Sequence, residues 1–260
     1  MTSTILIFNI SICLLTHLGG FCFSQSMQKY WVIVKSWFSD WRAYIAEFLG
    51  TFVFVFVANG AVVVNFLYGD INTLGLSITI GFSYAALLFM TVYRSQGYLN
   101  PAITIALWLV KRISPVNTFF YIVVQVLASF AAAGLLLLVF GESAKEISLG
   151  GPTLGVNVEM SAAVLVETIL TAGLIFAVFA TMVDRRGPVS FGPLVAGFFT
   201  VAAAIVAGPI SGAAFNPVRA IGPGVLSNST NTLAVWIIGP LAGSLFALFY
   251  EVVFLRKGKK

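Results

Sequence analysis

The sequence predicts an all-α membrane protein in which six transmembrane helices and two half-length helices form an inverted 3+3 repeat. Three observations lead to this fold class. The 260 residues are 59% hydrophobic and only 9% charged, whereas soluble domains carry about 25% charged residues. Six long apolar stretches follow one another along the chain. Two short Asn-Pro motifs interrupt them at matching places, after the second and after the fifth stretch.

The apolar stretches predict the membrane spans. A helix needs about 20 apolar residues to cross the hydrocarbon core, and every stretch except the fifth reaches that length. We therefore expect residues 43–255 to form a single membrane domain. The predicted spans are Ala43–Leu67, Thr73–Tyr93, Pro115–Phe140, Met160–Val183, Ser190–Ala207 and Thr232–Leu255.

The basic residues give the orientation of these spans. Twelve of the fourteen Lys and Arg residues lie on segments that six spans place on one side. Basic loops stay in the cytoplasm, so both ends of the core 28–260 are predicted to be cytoplasmic. The net charge of +5 then reflects topology, and we expect no binding of nucleic acid.

Three segments at the two ends of the chain are predicted to flank the membrane domain 43–255. Residues 1–27 form an apolar N-terminal extension that lacks the charged leading region of a signal peptide. It is either an additional span or, as we slightly favour, an extension upstream of a chain that naturally starts at Met27. Segment 28–42 alternates aromatic and basic residues, as in a helix on the cytoplasmic membrane surface. Residues 256–260 form a basic cytoplasmic tail.

The two interrupting motifs are Asn100-Pro101-Ala102 and Asn216-Pro217-Val218. Asn is a preferred helix N-cap, and Pro is favoured at the first helical position. Each motif therefore predicts the start of a short helix, from Pro101 to about Val110 and from Pro217 to about Leu226. Ten residues span about 15 Å, which is about half of the hydrocarbon core. Such half-helices are tolerated where they are buried in protein or line a wet cavity.

An internal repeat relates the two motifs. A Gly-Phe pair begins nineteen residues before each Asn, and a Glu-x-x-x-Thr pattern opens each half, at Glu47 and at Glu167. Three spans per half is an odd number, so the second half must enter the membrane with the opposite topology. Inverted repeats with broken helices that meet at mid-membrane are typical of a transport pathway.

These residues indicate how a pathway would select its solutes. Each half-helix N-terminus carries about half a positive charge, so two facing ends repel cations, while Asn100 and Asn216 can offer amide N–H groups to a polar solute. Arg219 is a charge deep in the membrane, which is functional by default. Glu47 and Glu167 occupy equivalent positions, and we expect them to accept hydrogen bonds from the loop backbones rather than to relay protons.

From about Tyr44 to Leu255 the chain resembles the major intrinsic proteins, the aquaporins and aquaglyceroporins. The resemblance is carried by AEFLGTF, GYLNPAITIA, GAAFNPVRAIGP and WIIGP. It implies an aquaporin-like pore in each subunit of a homotetramer, passive flow of water and small neutral solutes across the lipid bilayer, and no cofactor. It also implies a selectivity filter whose four positions fall on Ile80, Ala204, Ala213 and Arg219.

The filter residues depart from both standard patterns of that family. Water-selective members usually place Phe and His where this chain has Ile80 and Ala204. Glycerol facilitators usually carry aromatic residues in the filter and Asp after the Arg, whereas this chain has Ala213 and Ala220. Val218 also replaces the usual Ala of the second motif. We therefore expect a wide, apolar filter that passes water, glycerol, urea, ammonia, peroxide or undissociated metalloid acids and excludes protons and ions.

Three other functions fit the sequence less well. An ion-coupled secondary transporter also uses inverted repeats, but it would need acids or relays in the path beyond Glu47 and Glu167. An ion channel would need acidic rings or carbonyl filters, which Arg219 opposes. An enzyme is not expected, because the one His and both Cys residues precede Met27, so no metal site is predicted either. The plasma membrane is the expected location, with an organelle membrane as the alternative.

Overall fold

The computed structural model describes residues 25–69, 71–95 and 98–255. The chain divides into two compact units, Met1–Ser39 and Asp40–Lys260. In the first unit the backbone is helical from Gln25, while residues 1–24 and the tail 256–260 lie outside the described residues. The functional motifs all belong to the second unit.

The described part of the chain is all-helical, which confirms the predicted fold class. The helices are α1 (Gln25–Tyr68), α2 (Thr73–Ser95), α3 (Pro101–Leu109), α4 (Pro115–Phe140), α5 (Met160–Val178), α6 (Gly192–Ser211), α7 (Val218–Leu226), α8 (Leu233–Ser244) and α9 (Phe246–Tyr250). Single π-helical segments, Phe179–Val183 and Glu251–Leu255, extend α5 and α9, and 3₁₀ segments cover Glu142–Gly150 and Val189–Phe191.

Within the described ranges, six helical stretches are long and apolar enough to cross a membrane. They are Asp40–Tyr68, Thr73–Ser95, Pro115–Phe140, Met160–Val183, Gly192–Ser211 and Leu233–Leu255. The main difference from the sequence prediction is the fifth span, which continues past Ala207. Pro209 lies inside α6, and the helix ends only at Gly212, whose left-handed backbone (φ 73°) lets its N–H reach the Gly208 carbonyl at 3.1 Å. A proline removes one helical hydrogen bond, but the helix continues past Pro209 to Ser211.

Local capping starts several helices. Asn72 accepts a hydrogen bond from the Gly75 N–H at 2.8 Å, one residue before α2 begins. Ser114 accepts from the Asn117 N–H at 3.1 Å and precedes Pro115 at the first position of α4. Both arrangements satisfy N–H groups that the first helical turn leaves without a partner. Residues next to each helix start therefore specify where these helices begin.

The two halves of the repeat meet where α2 crosses α6. A Cβ on Gly81 would lie 2.5 Å from the Gly197 carbonyl oxygen, and a Cβ on Gly197 would lie 2.6 Å from that of Gly81. Only glycine permits this backbone approach, which is typical of helix packing in membranes. Phe82 and Phe198 pack against each other beside the crossing, with ring centroids 6.0 Å apart. The Gly-Phe pair found twice in the sequence thus marks one contact between the repeats.

The connection from α4 to α5 is folded into the protein. Ser148, Leu149 and Gly150 adopt left-handed backbone conformations, and Leu149 is fully buried in a cluster with Val63 and Ala133. This packing brings the backbone of Gly150 directly against the carbonyl of Asn59, so that a side chain at position 150 would collide with it. The connection thereby contributes to the cavity described below.

Candidate functional site

The two Asn-Pro motifs lie against each other through reciprocal hydrogen bonds. The Nδ2 of Asn100 donates to the Phe215 carbonyl at 2.9 Å, and the Nδ2 of Asn216 donates to the Leu99 carbonyl at 2.8 Å. Each Asn also caps its own helix, because Asn100 Oδ1 accepts from the Ala102 N–H at 2.9 Å and Asn216 Oδ1 accepts from the Val218 N–H at 3.3 Å. The N-termini of α3 and α7 therefore face each other inside the protein.

The residue before each Asn has a strained backbone. Leu99 has φ 46° and Phe215 has φ 51°, in a left-handed region that is uncommon for residues other than glycine. These conformations turn both carbonyls toward the opposite Asn. Such strain persists only where surrounding contacts fix it, and two buried carboxylates supply those contacts.

Glu47 and Glu167 hold the two loops in equivalent ways. Glu47 accepts from the N–H groups of Tyr98 at 3.0 Å and Leu99 at 2.7 Å. Glu167 accepts from the N–H groups of Ala214 at 2.9 Å and Phe215 at 2.7 Å. Both acids are 0% exposed. The structure thus places the two sequence-predicted acids behind the loops, where each satisfies the backbone of one strained turn.

A serine hydrogen-bonds to each acid, Ser95 to Glu47 and Ser211 to Glu167, but the first half has an additional partner in Gln125. The Ser211 hydroxyl donates to Glu167 at 2.6 Å. On the other side the Gln125 amide donates to Glu47 at 2.9 Å and to the Thr104 hydroxyl at 3.1 Å. Gln125 therefore connects α4 to both the acid and the half-helix α3.

Arg219 lies in the first turn of α7 and is only 1% exposed. Its Nη1 donates to the Ala213 carbonyl, and its Nε donates to Oδ1 of Asn59 at 3.2 Å. Its Nη2 has no acceptor among the described residues. The guanidinium is therefore fixed along one edge, while other N–H groups remain for a solute.

One cavity of about 300 Å³ brings the four predicted filter residues together. Ile80, Ala204, Ala213 and Arg219 all line it. The cavity lies between the start of α2, the end of α6 and the connection at Gly150–Thr153. Three of the four filter residues have aliphatic side chains, and Arg219 is the only charged residue among the described residues that line the cavity.

Sequence reasoning missed three buried polar residues that support the site. They are Asn59 in α1, and Gln125 and Ser129 in α4, all 0% exposed. Ser129 accepts from the Gly222 N–H at 2.9 Å and donates to the Val218 carbonyl, so that it supports the backbone of α7. The available signal was an uncharged polar residue in the middle of an apolar span. That signal indicates a buried hydrogen bond without naming its partner.

Comparison with known proteins gives consistent matches. The family described as Major intrinsic protein matches residues 34–250. Aquaporin TIP2-3 of Arabidopsis thaliana is 35% identical over 229 residues, which cover 84% of this chain and 89% of the relative. A probable aquaporin NIP-type of Nicotiana alata is 31% identical over 230 residues, covering 88% and 80%.

A solved structure agrees in fold. The X-ray structure of the aquaglyceroporin from Plasmodium falciparum aligns with a TM-score of 0.73 and 26% identity. The alignment covers 82% of this chain and 96% of that one. The similarity therefore extends over most of this chain and nearly all of the other.

Proposed function

The chain belongs to the major intrinsic protein family, and from this premise we propose that it is a passive transmembrane channel for water and small uncharged solutes. The observation that carries the proposal is the pair of reciprocal hydrogen bonds between the Asn100 and Asn216 amides and the opposite loops. They support a narrow passage bounded by two positive helix ends. An amide nitrogen carries two hydrogens, so Asn216 keeps a second N–H for a solute oxygen, while the Asn100 side chain also interacts with the Tyr84 hydroxyl.

Exclusion of ions follows from the same charges. Two half-helix N-termini and the buried guanidinium of Arg219 all present positive charge, so a cation that enters loses hydration without gaining a counter-charge. A water molecule that accepts from both Asn amides would point its own hydrogens outward. The proposed channel thereby interrupts the water chain along which protons could hop.

The proposed filter is wide and apolar. Ile80, Ala204 and Ala213 offer no hydrogen-bond donors from their side chains, and the cavity of about 300 Å³ has room for several small molecules. We propose that glycerol, urea, ammonia, peroxide or undissociated metalloid acids pass together with water. The relatives support a range of this kind, since plant proteins named aquaporins and a structure titled aquaglyceroporin both match.

Passive flow is favoured over ion-coupled transport by the positions of the buried acids. Glu47 and Glu167 each accept two backbone N–H groups from the strained loops. A carboxylate committed to a loop backbone is poorly suited to bind and release a coupling ion. Flux that follows a sodium or proton gradient would instead favour the transporter.

The remaining expectations also belong to this proposal. We propose a homotetramer with one pore per subunit, residing in the plasma membrane or, alternatively, in an organelle membrane. The predicted topology places the lined cavity at the outer mouth of the pore and the ends of the 28–260 core in the cytoplasm. Segment 28–42 would lie on the cytoplasmic surface and residues 256–260 would form the tail.

The test is a solute panel in proteoliposomes. Wild-type protein should conduct water, glycerol and urea without any ion gradient. Ala204→His and Ile80→Phe should reduce glycerol flux by about tenfold or more while reducing water flux less, because a narrower bore excludes the larger solute first. Ile78→Phe is the matched control, since Ile78 lies on the same helix with 37% of its surface exposed. Water flux with no solute flux in the wild type would refute the wide filter.

A further inference from the structure

Asn59 and Arg219 form a two-point contact between α1 and α7. The Arg219 Nε donates to Asn59 Oδ1 at 3.2 Å, and the Asn59 Nδ2 donates to the Arg219 main-chain carbonyl at 2.9 Å. Nε can only donate and a carbonyl can only accept, so the Asn59 amide fits in one orientation. Both residues are almost entirely buried, at 0% and 1% exposure.

The carbonyl of Arg219 needs an external donor because of the sequence of α7. In an α-helix the carbonyl of residue 219 would accept from the N–H of residue 223. Residue 223 is proline, which has no N–H. The Asn59 amide supplies the missing hydrogen bond, and the other end of the same amide then meets the Arg219 side chain.

Asn59 and Arg219 also occupy positions at which the two halves of the repeat differ. Asn59 lies twelve residues after Glu47, and the residue twelve after Glu167 is Phe179. Arg219 lies three residues after Asn216, and the residue three after Asn100 is Ile103. At both positions one half has a buried polar residue and the other half a buried apolar residue. The two polar residues contact each other, which indicates a shared role that the symmetric scaffold does not require.

We propose that Asn59 is a positioning residue that holds the Arg219 guanidinium against the cavity wall and so sets the width of the filter. This proposal rests on the proposed channel function. Without Asn59, the guanidinium keeps only the Ala213 carbonyl as an acceptor within the part of the chain that the structure describes. A buried charge that loses a partner moves toward water, and Arg219 already lines the cavity. The guanidinium would therefore swing into the cavity and obstruct it.

The variant that tests this is Asn59→Leu, which keeps the size of the side chain and removes both polar groups. Water permeability per channel should fall, and the ratio of glycerol to water permeability should fall by about threefold or more. Loss of a hydrogen bond to a charged group shifts the equilibrium between the held and the displaced guanidinium by at least that factor. In an Arg219→Ala background the same substitution should change neither quantity, since no guanidinium remains to be held.

Two further variants separate positioning from simple support of the fold. Ser129→Ala removes a hydrogen bond to the same half-helix backbone at Val218 without touching the guanidinium, so it should lower heat resistance and leave the permeability ratio unchanged. Asn59→Asp keeps an acceptor for Nε but sets its second oxygen against the Arg219 carbonyl, so it should lower heat resistance and retain the wild-type ratio. This variant also serves as the test if Asn59→Leu does not assemble.

The outcomes distinguish this proposal from the channel function itself. Equal effects of Asn59→Leu with and without Arg219, a changed ratio in Ser129→Ala, or a ratio in Asn59→Asp that falls as in Asn59→Leu would each overturn the positioning role. If wild-type protein conducts water but no glycerol, the wide filter fails, and water permeability alone still decides whether Asn59 acts through Arg219.

Discussion

Removing the carboxylate of Glu167 should release the second pore loop. The side chain accepts from the Ser211 hydroxyl at 2.6 Å, the Ala214 N–H at 2.9 Å and the Phe215 N–H at 2.7 Å. In Glu167→Ala both backbone N–H groups stay buried without an acceptor, at a cost of about 1–3 kcal/mol each. The folded state therefore loses about 2–6 kcal/mol, before any cost of the cavity left behind.

Two measurements check this expectation. The fraction of assembled protein that survives heating in detergent should fall sharply for Glu167→Ala, and the water permeability per surviving channel should fall because the Phe215 turn is no longer fixed. Glu159→Ala is the matched control, since Glu159 is an exposed acid at the start of the same helix and makes no side-chain cap hydrogen bond.

The conservative variant tests the alternative role of the acid. Glu167→Gln keeps one oxygen acceptor but places an amide N–H₂ against a backbone donor, so its stability should lie between those of wild type and Glu167→Ala. Glu167→Ala protein with the heat resistance of Glu159→Ala would refute the supporting role. Stable Glu167→Gln protein that loses gradient-dependent flux would indicate a proton relay instead.

Three further predictions follow from the packing and the charges. Wild-type water flux should resist micromolar mercury. Mercury should block water flux through Ala213→Cys, made in a chain whose two native cysteines are replaced by serine, because Ala213 lines the cavity. Inhibition of the wild type, or an Ala213→Cys variant that mercury does not inhibit, would contradict this placement. Gly81→Leu should prevent assembly, as judged by gel filtration, because its Cβ would lie 2.5 Å from the Gly197 carbonyl, and a normally assembled variant would disprove the close crossing. The guanidinium of Arg186 lies 2.6 Å from Asp184 and lowers the pKa of that carboxyl from 3.8 to about 2. A depressed pKa stabilises the fold above pH 3.8, and this stabilisation is lost as the pH falls through about 2. The heat resistance of Asp184→Asn should therefore be below that of the wild type at pH 6 and equal to it near pH 2.

Local sequence was sufficient to predict the elements that local chemistry specifies. The spans follow from runs of apolar residues, and the starts of α3 and α7 follow from Asn-Pro, since capping depends on neighbours within three residues. The resemblance to the major intrinsic proteins placed the expected filter on residues 80, 204, 213 and 219, which the structure brings to one cavity. Their role in selectivity stays a proposal.

Long-range polar partners could not be predicted in this way. Asn59 and Arg219 are separated by 160 residues, and nothing in an apolar span states which distant carbonyl or guanidinium its Asn will meet. The left-handed turns at Ser148 and Leu149 were equally hidden, because neither residue type favours that conformation. They are stabilised by the burial of Leu149, which only the assembled fold provides.

The composition of the filter explains why Asn59 would matter in this chain. A guanidinium can be held by neighbouring rings that stack on it or by hydrogen bonds to fixed acceptors. Ile80, Ala204 and Ala213 supply no ring, so stacking within the filter is unavailable to Arg219. Its position then depends on the Ala213 carbonyl and on Asn59. In the proposed filter, small side chains widen the passage and remove lateral support for the Arg219 guanidinium. On the proposed role of Asn59, helix α1 restores that support from outside the passage.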